Sequence, residues 1–270
     1  AFDGTNGHML WYSQIWPRDL LNYDFQNPPI LTTIDDRPIV IGTGKMGRVY
    51  AFDRQTGDLI WETPVGVHEN DDLEEMPPNE EVVTVFPGMW GGIETPAAVA
   101  DGTVYVITLN LPSDYTATAF GVANGAESVD NIEGRIIYEE GSSELVALDV
   151  NTGEIQWSTY LPEIGFGATT VVNDLVFTAT YDGVIYAVSR EDGAIVWSFQ
   201  TPGGITAWPA VAGDTIVWPV GLGREPVLLA LRLGAPGTIP GPAGRAFGTP
   251  EGEAAPVATP TPATPIPGGS

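Results

Sequence analysis

The sequence predicts an all-β protein, a β-propeller of four-stranded blades. Three observations predict it. First, an eleven-residue phrase occurs four times: AFDGTNGHMLW from Ala1 to Trp11, AFDRQTGDLIW from Ala51 to Trp61, ALDVNTGEIQW from Ala147 to Trp157 and AVSREDGAIVW from Ala187 to Trp197. Second, each copy has the chemistry of a hairpin. Third, the copies start 50, 96 and 40 residues apart, and a four-stranded blade takes roughly 40 to 50 residues.

The elements follow in order. The first copy, Ala1 to Trp11, is a stub that opens the chain inside a phrase. The second shows the unit best. GRVYAFD (Gly47 to Asp53) is a β-rich run, Asp-x-x-Thr-Gly is a turn, and LIWETPV (Leu59 to Val65) is a second run. Asp53 accepts backbone N–H bonds within such a turn, and Gly57 takes a positive φ at no steric cost. Two apolar runs joined in this way form a hairpin. The terminal Trp carries a large side chain that only a neighbouring sheet can bury, so Trp11, Trp61, Trp157 and Trp197 imply small sheets packed in series.

The 96-residue interval has room for two blades, or for one with long insertions. Only one clean strand pair, TPAAVADGTVYVITL (Thr95 to Leu109), precedes the third phrase, and the remainder is polar, which favours one blade. A last, partial blade is expected from Gly204 to Gly234. About four of up to eight blades are therefore expected in residues 1–234, as the C-terminal half of a larger propeller, because a propeller must close to remove its edges. From Ala235 the chain turns to Pro, Gly, Ala and Thr. Residues 235–270 are expected to form a disordered linker or tail, since they have too little apolar area to order themselves.

The charge balance excludes several functions. With 35 acidic against 10 basic residues the net charge is −25, which argues against a nucleic-acid partner, because such a partner needs a basic footprint. No run of about 18 apolar residues suggests a transmembrane helix. The chain has no cysteine, hence no disulfide, thiolate nucleophile or cysteine-zinc site. Its two histidines, His8 and His68, give no basis for a zinc site or a Ser-His-Asp triad. The acidic run at His68 to Asp72 with Glu74 and Glu75 lacks the spacing of an EF-hand loop and reads as a solvated insertion. Gly42-Thr43-Gly44-Lys45-Met46-Gly47 satisfies G-x-G-x-x-G, but a strand follows instead of the helix that a dinucleotide site requires.

The phrase A-x-D-x-x-T-G-x-x-x-W resembles the tryptophan-docking repeat of the pyrroloquinoline quinone (PQQ) propeller family. The resemblance extends, in order, through WPRDLLNYDFQNPPIL (Trp16 to Leu31), IGTGKMGRVYAFDRQTG (Ile41 to Gly57), FPGMWGGIETPAAVADGTVYV (Phe86 to Val106) and the segment from Phe166 to Ile205. These look like the later blades of quinoprotein alcohol dehydrogenases and cover most of residues 1–234.

The resemblance implies site residues. Lys45 falls where the family places a Lys or Arg against the ortho-quinone oxygens of the cofactor. A fixed cation there stabilises the negative charge of the reduced quinone. Its rival reading is a solvated turn residue. Trp90 and Glu94 lie in WGGIE, where many members have an Asn near the quinone. The Asn is absent, and Glu94 is instead a candidate channel carboxylate. Phe166 stands where the family often has a Trp before Gly, and Trp208 is a similar channel aromatic; core packing is the alternative for Trp90, Phe166 and Trp208. Asp19, Asp24 and Asn27 read as turn and cap residues. The family's catalytic aspartate, calcium ligands and cysteine pair are expected upstream, so no catalytic or metal-binding residue is assigned within this sequence.

Two functions follow. The first is a quinoprotein dehydrogenase-like propeller that oxidises an alcohol or sugar with PQQ, and with Ca²⁺ held by ligands outside this sequence. Its partners would be a small-molecule substrate and an electron acceptor. The second is a non-catalytic propeller of the same type, serving as a scaffold for envelope proteins. Either implies a periplasmic, extracellular or envelope location.

Overall fold

The computed structural model describes residues 1–16, 19–73, 82–115, 136–223 and 226–234. The predicted tail, residues 235–270, and Glu74 and Glu75 of the acidic run lie outside them.

Seventeen strands and one short 3₁₀ turn (Tyr138–Glu140) make up the regular structure of these residues. The first sheet runs β1 (Ile30–Ile34), β2 (Arg37–Thr43), β3 (Arg48–Asp53), β4 (Leu59–Pro64), in that spatial order. The 96-residue interval yields one blade, as expected. It is a four-stranded sheet of β6 (Ala98–Ala100), β7 (Thr103–Asn110), β9 (Ser142–Asp149) and β10 (Ile155–Leu161). A separate ribbon pairs β5 (Val83–Val85) with β8 (Ser113–Tyr115). The third sheet is β11 (Thr170–Val172), β12 (Leu175–Ala179), β13 (Val184–Ser189) and β14 (Ile195–Gln200). The last has three strands, β15 (Ala210–Ala212), β16 (Thr215–Val220) and β17 (Val227–Arg232). All pairings are antiparallel.

The recurring phrase is the outer hairpin of each four-stranded sheet. Asp53 Oδ1 accepts from Gln55 N at 2.7 Å and Thr56 N at 2.9 Å, and Gly57 sits at φ +78°. Asp149 repeats this with Asn151 and Thr152, and Gly153 is at φ +74°. In the fourth copy Ser189 stands in for Asp and accepts from Glu191 N at 3.3 Å.

Each phrase then fastens to the next. Trp11 donates its indole N–H to Arg54 O (2.9 Å), Trp61 to Val150 O (3.0 Å) and Trp157 to Arg190 O (3.0 Å). Every acceptor directly follows the Asp or Ser that closes the next turn. The indole face lies over the glycine of that turn. A Cβ on Gly57, Gly153 or Gly193 would come within 2.5, 2.6 or 2.8 Å of the neighbouring Trp or Thr. Two residues beyond each of two tryptophans, Thr63 and Thr159 donate to Gly153 O and Gly193 O. Trp197 differs: it is 40 % exposed and stacks on Phe199.

Apolar strand faces fill the space between consecutive sheets. Ile39, Ile41 and Val49 meet Ile93, Val104, Val106 and Leu148. Tyr105, Ile107 and Leu145 meet Val176, Tyr186 and Val188. Phe177 and Ile185 meet Trp218 and Val220. A fourth cluster, with Leu21, Tyr23, Met46, Tyr50, Met89 and Leu111, joins the loops at one end and underlies the site described next.

Candidate functional site

Three segments converge at the turn between β2 and β3. The first is the approach to β1. Asp19 Oδ1 accepts from Leu21 N and Tyr23 N, curling the chain, as its reading as a turn residue implies. Tyr23 OH donates to Pro87 O at 2.7 Å and Tyr115 OH to Leu21 O at 3.1 Å, which pins the curl to the neighbouring loops. Asp24 O then accepts from Lys45 N at 3.1 Å.

The second segment is the turn itself, Gly44 to Gly47. Gly44 is required here, because a Cβ would collide with the Asp24 carbonyl. The third is the stretch leading to β6. Ile93 N donates to Gly44 O at 3.0 Å. Gly92, at φ +75°, passes so close to the Lys45 carbonyl that no side chain fits. Asn27, buried, laces the three together by donating to Ile93 O at 2.7 Å and Thr43 Oγ1 at 3.1 Å.

This backbone crossing brings Asp24, Gln26, Lys45 and Glu94 into one cluster. Lys45 Nζ pairs with Asp24 Oδ2 at 3.0 Å; the lysine side chain is 14 % exposed and the aspartate 53 %. Lys45 is therefore a largely enclosed cation, not the solvated turn residue of its rival reading. Glu94 Oε2 accepts from Gln26 Nε2 at 2.9 Å. Its Oε1 is buried and has no hydrogen-bond partner. Burial pushes the Glu94 carboxyl up from 4.5 to about 7, against the downward pull of Lys45 and the Gln26 hydrogen bond, with Asp24 adding a little upward.

The other predicted site residues stand differently. Trp90 is 37 % exposed, although its chain neighbour Met89 is buried, and so it is not a core residue. Phe166 packs edge-on to Tyr181 (5.9 Å) against the apolar cluster that contains Met46 and Met89. Trp208 lies between β14 and β15 and is 52 % exposed. No hydrogen bond or ring contact among the described residues joins it to Lys45 or Glu94. Sequence reasoning assigned Asp24 to turn chemistry and passed over Gln26. Both lie in the segment from Trp16 to Leu31 already matched to the family, which was the signal for them.

Below the turn lies a second ionic group. Arg48 bridges Glu62 (2.9 Å) and Asp71 (3.2 Å), and His68 Nδ1 lies 2.7 Å from Asp71. His68 Nε2 faces the carbonyls of Gly47 and Val65. Asp71 is only 8 % exposed, so this end of the acidic run is structural and not the solvated insertion expected. No group of three or more His, Cys, Asp or Glu among the described residues is placed to hold a metal ion. No helix of the described residues is long and apolar enough to cross a membrane.

Serial four-stranded sheets fastened by a repeated Trp-turn contact define a β-propeller of repeated blades. The comparisons with known proteins give the family. A family model described as "Glucose/ethanol/alcohol dehydrogenase, beta-propeller domain" matches residues 1–75, and one described as "Outer membrane protein assembly factor BamB" matches residues 129–224. The chain belongs to the PQQ-type β-propeller family. It is 28 % identical over 246 residues to a putative dehydrogenase XoxF of Paracoccus denitrificans, covering 76 % of this chain and 40 % of that protein. It is 26 % identical over 238 residues to a quinoprotein ethanol dehydrogenase of Pseudomonas aeruginosa, covering 77 % and 38 %. It is also 28 % identical over 177 residues to the assembly factor BamB of Burkholderia pseudomallei, covering 63 % and 44 %. The quinohemoprotein alcohol dehydrogenase of Comamonas testosteroni shares the fold at a TM-score of 0.72 and 19 % identity, over 88 % of this chain and 42 % of that one. The chain thus spans about two fifths of the length of the dehydrogenases it resembles.

Proposed function

We propose that this chain is part of a quinoprotein dehydrogenase-like propeller that oxidises an alcohol or sugar, with PQQ bound at the Lys45 cluster. The observation that carries the reading is the convergence of Asp24, Lys45 and Glu94 on one backbone crossing. The donor set suits an ortho-quinone. It offers an enclosed ammonium and, beside it, a carboxyl oxygen that is buried and unpartnered, and such an oxygen calls for a ligand atom.

When bound, PQQ supplies the two-electron acceptor of the reaction. Lys45 holds a positive charge where negative charge develops. Asp24 orients that ammonium through its ion pair, and the proton acceptor for a substrate hydroxyl would be an aspartate outside this chain. Met46, Met89 and Phe166 line the underlying core and keep the Lys45 turn rigid. Trp90 and Trp208 are aromatic walls of the channel in this reading. Ca²⁺ would be held by ligands outside this chain, residues 1–234 would form the propeller portion and 235–270 a linker or tail, and the protein would reside in the cell envelope.

A second reading has an observation of its own: the match over residues 129–224 to the BamB family model, which spans sheets away from the Lys45 cluster. There the propeller is a scaffold for envelope proteins. PQQ titration of the full-length protein with Ca²⁺ separates the two, followed by quinone absorbance and dye-coupled alcohol oxidation. Saturable binding that Lys45→Ala weakens by about tenfold or more, the worth of one charge-assisted hydrogen bond, supports the dehydrogenase reading. An absence of binding at saturating cofactor and metal leaves the scaffold.

A further inference from the structure

Glu94 departs from the amide that the family resemblance leads one to expect, and the structure gives it an unusual setting. Its backbone is fixed on both sides, by Ile93 N on Gly44 O and by Asn27 on Ile93 O. One carboxyl oxygen, Oε2, is occupied by the Gln26 amide. The other, Oε1, is enclosed and has nothing to bond to. The charged groups that face Glu94 are Lys45 from the β2–β3 turn and Asp24 from the approach to β1. These two pair with each other at 3.0 Å; Asp24 offsets a little of the Lys45 pull on Glu94, and burial outweighs the remainder. The direct ion pair of Lys45 is with Asp24, so Lys45 acts on Glu94 only as a nearby charge.

We propose that Glu94 is a specificity-determining residue of this site: it stands as a neutral carboxylic acid whose O–H, on the enclosed Oε1, is donated to a carbonyl or carboxylate oxygen of the bound molecule. The inference rests on the reading of the Lys45 cluster as a ligand site, and deepens it. A donor N–H from Gln26 fixes Oε2 as an acceptor, which leaves Oε1 as the oxygen that carries the proton. A neutral acid in this position does the work of an amide donor, with one difference: it loses that capacity on ionisation. The upward push of burial on this carboxyl places the change near neutral pH. The site therefore selects acceptor-rich ligands, and it binds them together with a proton when the pH lies above about 7.

The test compares wild type, Glu94→Gln and Glu94→Ala in the full-length protein, each checked for a native circular dichroism spectrum. The first readout needs no ligand: infrared difference spectra across pH 5 to 9, following the carbonyl stretch of a protonated carboxylic acid. The second is equilibrium affinity across the same range for two probes, PQQ and a carboxyl-free ortho-quinone (phenanthroline quinone). The two probes distinguish a carboxylate acceptor from a quinone carbonyl.

The inference predicts an acid band in wild type that fades through about pH 7 and is missing in Glu94→Gln. It also predicts wild-type affinity falling about tenfold per pH unit above that point, a flat profile for Glu94→Gln, and weak binding by Glu94→Ala at every pH. An absent acid band at pH 5, or the same pH slope in wild type and Glu94→Gln, overturns it. If PQQ binds neither protein at any pH, the cofactor reading fails by itself. The inference then survives only with the acid band present and the carboxyl-free quinone bound with the predicted slope, and is overturned otherwise.

Discussion

Gly92 shows how much one residue decides. At φ +75°, with the Lys45 carbonyl where a Cβ would go, it lets the stretch before β6 cross the turn after β2. Gly92→Ala is expected to cost at least about 2 kcal/mol by denaturant unfolding, and to separate Glu94 from Lys45. Glu94 itself gives a pH signature in the free protein. Its folded-state value is raised above its unfolded one, so the folded state holds the proton more tightly. That contribution is complete below about 4.5 and is lost as pH rises towards about 7. Asp53 acts in the opposite sense. Backbone N–H bonds from Thr56, the Arg37 side chain and the Gln55 N–H hold it down at about 2, so its contribution is lost as pH falls from about 4 towards 2. Thermal unfolding measured from pH 4.5 to 7.5 is expected to show a stability decline that Glu94→Gln flattens. An unchanged profile in that variant would remove the assignment.

At the scale of elements, the hairpin phrase is both a turn and a socket. Its Asp closes the turn, its Gly makes room, and the Trp of the preceding phrase fills the space and bonds the carbonyl after the Asp. Trp61→Ala opens a void over Gly153 and leaves Val150 O without its donor, at an expected cost of about 3–5 kcal/mol in chemical denaturation. Gly153→Ala strikes the same indole. In the Trp61→Ala background the Gly153→Ala penalty is therefore expected to shrink, and a double-mutant cycle reads the difference as coupling. Additive penalties would mean that the indole and the turn are energetically independent. The β5–β8 ribbon and the Arg48–Asp71–His68 group have no such repeat. They are local solutions that support the Lys45 turn from below.

Across the whole molecule the dominant quantity is charge. With a net charge of −25, the folded state repels itself at long range. Raising the ionic strength from 0.01 to 0.15 M shortens the screening length from about 30 Å to about 8 Å. The melting temperature is expected to rise by a few degrees across that range, as calorimetry can show. A fall would mean that the specific pairs, such as Arg48 with Glu62 and Asp71, outweigh the general repulsion. The same negative charge makes an enclosed cation such as Lys45 a scarce feature, and it favours a neutral rather than an ionised Glu94.

The sequence by itself determined the repeating unit, the three four-stranded sheets that carry it and the turn chemistry, because these depend on contacts within about ten residues and on a phrase repeated with little change. It also marked Lys45 and Glu94 as candidates. Only the tertiary structure decided that they meet, that Asp24 pairs with Lys45, and that Gln26 reaches Glu94 from 68 residues away. It likewise turned Asp71 from a solvated acid into a buried partner of Arg48 and His68. These are pairings between segments that share no local pattern. They arise where loops of different sheets cross at glycines, and a glycine in a sequence does not say which backbone will pass beside it.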